Sequence, residues 1–312
     1  MIPFDPSKEH SFDVVIVGGG PGGLSAATWC VELGLSALIV ESTQELGGQL
    51  LWIHNPITNH LGGSFANGRS MRDALLNQLA ERRFVVAFGT EVISIDCSAQ
   101  CLVLSNGRRV GYRYLILATG LSRRTLGLDG ESRLLGKGVL ESGAGQRESV
   151  RGNAVAVIGG GDAAVENALI LSEFASKVYL IHRRGCFSAR DEMISRLKDK
   201  VNVEIMFDTR LESIDGDERL VSINVSEGNG SVREIPVDNL LIRIGFAPNS
   251  SLLRGMVDTD EVGFVVVNSE FETSDPMIYA IGDVACPVAP TISAAIGAGS
   301  VAAKSIHSKL KN

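Results

Sequence analysis

Hydrophobic residues fall along this chain in short blocks that recur, rather than in long spans. The first block, Val14 to Val17 in FDVVIVGGGPGGLSAATWCVELGLSALIVES, is unbroken, β-branched and too short for a helix, which predicts a strand buried on both faces. Apolar positions at Leu24, Ala27 and Val31 then follow a helical period, and ALIVE predicts a second strand ending at Glu41. The same order of strand, glycine loop, helix and strand returns in NAVAVIGGGDAAVENALILSEFASKVYLIHRR. Paired strand patterns follow each copy, VVAFGTEVISIDCSAQCLVLSNGRRVGYRYLILATG after the first and VEIMFDTRLESIDGDERLVSINVSEG, closing with LLIRIGFAPNSSLL, after the second. MIYAI predicts a strand directly ahead of Gly282 and Asp283, and ISAAIGAGSVAAKSIHSKL a final helix. The duplication predicts an α/β fold of two Rossmann-like, three-layer ββα dinucleotide-binding domains, with residues 122–244 inserted into a discontinuous domain of residues 1–121 and 245–312.

Composition narrows the function classes. At 45% hydrophobic, 312 residues can bury full cores, while a net charge of −7 with scattered Lys and Arg offers no basic field for nucleic acid. No apolar run approaches the roughly 18 residues of a membrane span, and MIPFDPSKEHS lacks the apolar core of a signal peptide, so a cytoplasmic protein is expected. Glycine, at 35 of 312 residues, exceeds the usual share of about 7% and gathers in short motifs, as tight turns beside ligands require. The five cysteines, at 30, 97, 101, 186 and 286, include no C-x-x-C and no zinc-type pairing.

The glycine loops carry the candidate chemistry. In the first, Gly18 permits the turn, Gly20 lets a pyrophosphate approach the backbone, and Gly23 lets helix and strand pack closely. Glu41, at the end of the second strand, is placed for a ribose 2′-hydroxyl. In the second copy Gly159, Gly161 and Ala164 repeat the pattern, but the following strand ends in His182, Arg183 and Arg184. Guanidiniums there favour a 2′-phosphate, which a carboxylate would repel. One loop ending in Glu and one in Arg-Arg imply two different dinucleotides, for which FAD and NADPH are the economical pair.

VGGGPGGLSAA, GGQL at 47–50, ATG at 118–120, VIGGGDAAVE, HRR at 182–184, IGFAPN at 244–249 and YAIGDV at 279–284 together resemble the low-molecular-weight thioredoxin reductase-like flavoproteins over essentially the whole chain. The resemblance implies FAD in the outer domain, held by the first glycine loop with Gly48, Gln49, Asn59, the turn of Ala118, Thr119 and Gly120, and Gly282. It further implies that Asp283 holds the ribityl and phosphate region, that NADPH binds the inserted domain, and that the protein is a homodimer.

Against that family GVLESGAGQRESVRG becomes informative. Counted back from Gly159, the two redox cysteines would fall at Ser142 and Gly145. Neither residue can take electrons from a reduced flavin as a dithiol does, so the usual route to thioredoxin is not expected. The nearest relatives lacking the pair are the thioredoxin reductase-like ferredoxin or flavodoxin reductases, which share Asp162; a quinone, oxygen, a separate thiol protein, or a non-catalytic FAD-binding sensor are the other readings. Unlike in those reductases, no aromatic flavin cover is expected from SIHSKLKN, and the chain departs from full HRRxxxR in carrying Ser188 with Arg190 two residues on. It also reads Pro290, Thr291 and Ile292 where thioredoxin reductases have R-Q-A. Cys97 and Cys101 flank an expected hairpin turn remote from the flavin, Cys286 follows Gly282 and Asp283, and packing is expected of all three. His54 and His60 are expected to make local hydrogen bonds and Trp52 to fill core space.

Overall fold

The computed structural model describes residues 1–5, 10–228 and 230–311. Two compact units divide the chain, Met1–Ser122 with Ala247–Asn312 as the first and Arg123–Phe246 as the second. The boundaries follow Ser122 and Phe246 rather than residues 121 and 244. Hydrogen bonds account for the offset: Arg124 donates its N–H to the Gly245 carbonyl and its Nε–H to that of Phe246, at 3.0 and 2.8 Å, tying both residues to the second unit.

The first unit opens with β1 (Ile2–Pro3), β2 (His10–Val17), α1 (Pro21–Glu32), β3 (Ala37–Val40), α2 (Gly68–Gln78), β4 (Val85–Ala87), β5 (Val92–Asp96), β6 (Cys101–Leu104) and β7 (Arg109–Leu117). These strands form one sheet in the order β1-β4-β3-β2-β7-β6-β5, parallel from β1 to β7 and antiparallel from β7 to β5. The unbroken apolar run of β2 is explained by two covered faces. Val14 and Ile16 pack with residues of α1, while Val15 and Val17 point into a second cluster with Leu102, Leu115 and Val265. Each such buried side chain contributes about 1.5–3 kcal/mol relative to exposure.

After β8 (Leu121–Arg123) the second unit contains β9 (Ala154–Ile158), α3 (Asp162–Ser172), β10 (Lys177–Ile181), α4 (Asp191–Lys198), β11 (Val203–Met206), β12 (Thr209–Asp215), β13 (Ser222–Glu227), β14 (Val232–Pro236) and β15 (Asn239–Ile242). A parallel sheet runs β11-β10-β9-β15, and β12-β13-β14 form a separate antiparallel sheet. Val155 and Val157 face α3 and α4, whereas Ala156 and Ile158 face Ile223, Val225 and Ile235 of the antiparallel sheet. Helices, parallel sheet and antiparallel sheet are therefore three layers, the ββα arrangement.

The chain returns through β16 (Phe246–Pro248) to β17 (Ile278–Ala280), which pairs in parallel with Leu115–Leu117 of β7, and ends in α5 (Ile292–Lys311). Helices α1 and α5 approach so closely that a Cβ on Gly299 would lie 2.4 Å from the Gly22 carbonyl oxygen. Among the described residues no helix is long and apolar enough to cross a membrane.

Candidate functional site

The first glycine loop occupies the carboxyl end of β2. Gly18 has φ +108°, and a Cβ there would sit 2.4 Å from the Ala118 carbonyl oxygen, so only glycine makes this turn. A Cβ on Gly23 would lie 2.0 Å from the Gly18 carbonyl oxygen, which is the close packing of helix on strand that the third position needs. Helix α1 begins after Gly20 with Pro21 and no side-chain cap, whereas α2 is closed by a capping box of Asn67 and Ser70. The uncapped N–H groups of α1 are therefore available to an anion.

A cavity of about 710 Å³ opens at this loop, entirely within the first unit. Ten of the expected residues line it: Gly18, Gly20, Glu41, Gly48, Gln49, Ala118, Thr119, Gly120, Gly282 and Asp283. Gly23 lies beneath, in the packing role already described. Across the cavity Gly48 faces Gly20, and a Cβ on Gly48 would come 3.0 Å from the Gly20 Cα, so bare backbone on both sides leaves room for a dinucleotide phosphate. This volume, cradle and free helix terminus fit a bound dinucleotide such as FAD.

Hydrogen bonds order the walls. The buried Glu41 carboxylate accepts from the Gly19 N–H at 2.8 Å, the Thr43 N–H at 2.9 Å and the Thr43 hydroxyl at 2.9 Å. Burial raises the pKa of Asp283, while the Gln49 amide, donating to it at 3.1 Å, acts in the opposite direction. The ATG turn is latched by Asn249, whose side-chain amide donates to the Thr119 carbonyl at 2.8 Å and whose own carbonyl accepts from the Thr119 hydroxyl at 2.7 Å. The lining holds the carboxylates Glu41, Glu91 and Asp283 and no Lys or Arg.

Several expectations change here. Asn59 is exposed and does not line the cavity. Ile57 bridges Phe65, turning residues 58–64 into an outward loop, so Asn59 is carried away from the wall. Trp52 is not in the core: it is 56% exposed and borders the cavity, because it ends the short 3₁₀ turn Gly48–Trp52 on the side opposite the buried Leu50. His54 is exposed, and His60 pairs through Nδ1 with the Ser293 hydroxyl at 3.2 Å. Pro290, Thr291 and Ile292 line the cavity. Glu91, Thr90 and the latching role of Asn249 escaped sequence reading; the Asn closing IGFAPN was the available signal for the last.

The second loop is built alike but surrounded differently. A Cβ on Gly159 would lie 2.1 Å from the Arg243 carbonyl oxygen, and Gly161 starts α3, again without a side-chain cap. Ala164 is buried under the loop, with its Cβ 2.9 Å from where a Gly159 Cβ would be. His182 follows β10 with its ring over Gly160, where a Cβ would come 2.4 Å from the imidazole. Burial, then Arg184 and Arg183, lower the pKa of His182. Arg183 and Arg184 are exposed and make no ion pair among the described residues. Arg190 is engaged: its Nε lies 3.0 Å from Asp162 Oδ2 and its N–H donates to Oδ1 at 2.8 Å. With the Ser188 N–H donating to the Gly160 carbonyl at 2.8 Å, this stitches the 182–190 loop to the glycine loop. Sequence reading missed that clamp and also the buried Arg243.

Ser142 and Gly145 form one tight turn. The Gly145 N–H donates to the Ser142 hydroxyl at 3.1 Å, and the Gln146 side-chain oxygen accepts from the N–H groups of Glu141 and Ser142 at 2.8 and 3.0 Å. All five cysteines are free. Cys101 is buried, Cys97 faces Met256 sulfur to sulfur at 3.8 Å, and the Cys286 thiol donates to the Ala289 carbonyl at 3.3 Å, outside the cavity lining.

Residues 12–300 match the pyridine nucleotide-disulphide oxidoreductase family. Thioredoxin reductase from Listeria innocua is 31% identical over 298 residues, covering 95% of this chain and 93% of the relative, and that of Treponema pallidum is 32% identical over 302 residues, covering 95% and 96%. The crystal structure of T. acidophilum thioredoxin reductase superposes with a TM-score of 0.81 at 28% identity, covering 97% of this chain and all of the other. Bacillithiol disulfide reductase from Staphylococcus aureus shares the fold, with a TM-score of 0.78 at 21% identity and coverage of 96% and 99%. The chain thus belongs to the pyridine nucleotide-disulphide oxidoreductase family as a thioredoxin reductase-like flavoprotein, an FAD-dependent NAD(P)H oxidoreductase.

Proposed function

We propose that the protein oxidises NADPH and delivers electrons to ferredoxin or flavodoxin without a redox disulfide of its own. The observation that carries this reading is the turn at 142–145, where a hydroxyl and a bare Cα occupy the positions expected of two thiols. Bound FAD would supply the redox chemistry that couples a two-electron nicotinamide donor to one-electron carriers. The overall reaction balances as one NADPH and two oxidised one-electron carriers giving NADP⁺, two reduced carriers and a proton.

The chain's own residues bind and orient. Gly18, Gly20 and the uncapped end of α1 receive the FAD pyrophosphate, Glu41 the adenosine ribose, and Asp283 with Gln49 the ribityl side. In the second unit Gly159 and Gly161 receive the NADPH pyrophosphate and Arg183 with Arg184 its 2′-phosphate, with His182 closing the loop. No side chain need donate or accept a proton for hydride transfer, which asks for stacking and alignment.

An anaerobic NADPH titration of the flavin-loaded protein should bleach absorbance near about 450 nm, the region of oxidised flavin. Ferredoxin should then support cytochrome c reduction well above an acceptor-free control, and thioredoxin should not be reduced. Thioredoxin turnover, or no ferredoxin-dependent turnover, would overturn the proposal; absence of bleaching would favour a non-catalytic flavoprotein.

A further inference from the structure

One buried charge in the second unit pairs with no carboxylate among the described residues. Arg243 directly follows β15 and is only 7% exposed. Its Nη1 and Nη2 donate to the carbonyls of Ile242 and Glu141 at 2.8 and 2.9 Å, and no carboxylate pairs with it among the described residues. Burial and the like charge of Arg123 push its pKa down to about 9, which leaves it protonated at neutral pH. A buried guanidinium held only by carbonyl dipoles is costly, and a neutral side chain of similar shape would remove that cost.

Its position suggests what the charge is for. The Arg243 N–H donates to the Ile158 carbonyl at 2.7 Å, and its carbonyl abuts Gly159, the first glycine of the loop. In the order β11-β10-β9-β15 the chain leaves β9 for β10 on one side and returns to β15 on the other. The carboxyl ends of β9 and β15 therefore flank the switch point across which a dinucleotide lies. With the adenosine half at His182, Arg183 and Arg184 beyond β10, the other half falls toward β15 and Arg243. That half ends in a ring whose charge depends on its redox state: cationic in NADP⁺, neutral in NADPH.

We propose that Arg243 makes the second unit selective for the redox state of its nucleotide, repelling the cationic oxidised ring and leaving the neutral reduced ring unaffected. The inference rests on assigning NADPH to this unit. Its consequence is that reduced nucleotide displaces oxidised product.

Calorimetric titration of the flavin-loaded protein tests it with three probes: NADP⁺, the neutral-ring analogue tetrahydro-NADP, which cannot donate hydride, and 2′,5′-ADP, which has no ring. The neutral analogue should bind about tenfold more tightly than NADP⁺, the size expected of like charges roughly 12 Å apart at an effective dielectric of about 20. Arg243→Met should bring the two affinities together while leaving 2′,5′-ADP unchanged, and Arg243→Lys should retain the preference. Equal affinities in the unaltered protein would overturn the proposal, as would an Arg243→Met variant that weakens all three probes alike, which is the signature of a structural role. Should that variant fail to fold, the ratio in the unaltered protein and the Arg243→Gln variant decide the matter. If 2′,5′-ADP does not bind at all, the NADPH assignment falls and takes this inference with it; if it binds while the other two are equal, only the role of Arg243 falls.

Discussion

The two glycine loops of this chain share a backbone solution and oppose each other in charge. At the first, Glu41 is buried and already satisfied, accepting from Gly19 and Thr43, and the cavity beside it carries three carboxylates and no cation. At the second, among the described residues, Arg183 and Arg184 stand exposed without an ion pair, His182 is held toward its neutral form, and Arg243 is buried with no paired carboxylate. A site whose polar groups are spent on its own backbone needs no ionic ligand to complete it; hydroxyls and phosphates can meet it through N–H groups. A site that keeps cations unpaired gains most from a ligand with additional negative charge. The same turn therefore serves two dinucleotides, and the residues after the second strand of each repeat decide which.

Breaking the first loop should have the largest effect. Glu41→Ala leaves the buried Gly19 N–H and the part-buried Thr43 N–H without their acceptor. Losing charged hydrogen bonds of this kind costs about 3 kcal/mol in total. Chemical denaturation should show that loss, and the purified variant should retain little flavin absorbance. A variant that keeps both full stability and full flavin content would mean that Glu41 is not the organiser of the loop.

Breaking the second loop should leave stability alone and change selectivity. Arg183 and Arg184 make no ion pair among the described residues, so Arg183→Gln with Arg184→Gln removes no ion pair of the fold. Each charge-assisted contact to a 2′-phosphate contributes about 1.5 kcal/mol, so KM for NADPH should rise about 100-fold for the pair. KM for NADH, which lacks that phosphate, should stay within about twofold, since no interaction with it is lost. Equal changes for both nucleotides would place the 2′-phosphate elsewhere.

How much of this could be read from sequence depended on how local each cause is. The duplicated loops were legible because an unbroken β-branched run, a glycine turn and a helical period lie within about thirty residues of one another. The three layers of the second unit followed from the same reading, since VAVI needs cover on both faces. Trp52 and Asn59 were misplaced because their segment has no periodicity and its direction is set by the bridge from Ile57 to Phe65. Arg243 was invisible for a different reason. In LLIRIG an arginine at a strand end reads as solvent-exposed, and its burial depends on the Glu141 carbonyl, a hundred residues earlier in the chain. The clamp from Asp162 to Arg190 likewise joins two motifs that sequence presents separately.

The smallest expected effect probes the charge balance of the second loop most directly. The pKa of His182 is lowered by burial first and by Arg184 and Arg183 next, so the folded protein holds its ring neutral at pH values where an unfolded chain would begin to protonate it. A depressed folded pKa contributes stability that is present above the unfolded value of about 6.5 and is lost as pH falls through the folded value. His182→Gln should flatten that part of the stability profile below about pH 6.5 while changing little at pH 8. A 2′-phosphate bound between Arg183 and Arg184 cancels their repulsion of a charged imidazole, so saturating 2′,5′-ADP should raise the His182 pKa, read from its ring resonances in an NMR titration. A pKa that does not move, or that falls, would mean that the phosphate lies away from these arginines, and the contrast between the two loops would then rest on Arg243 alone.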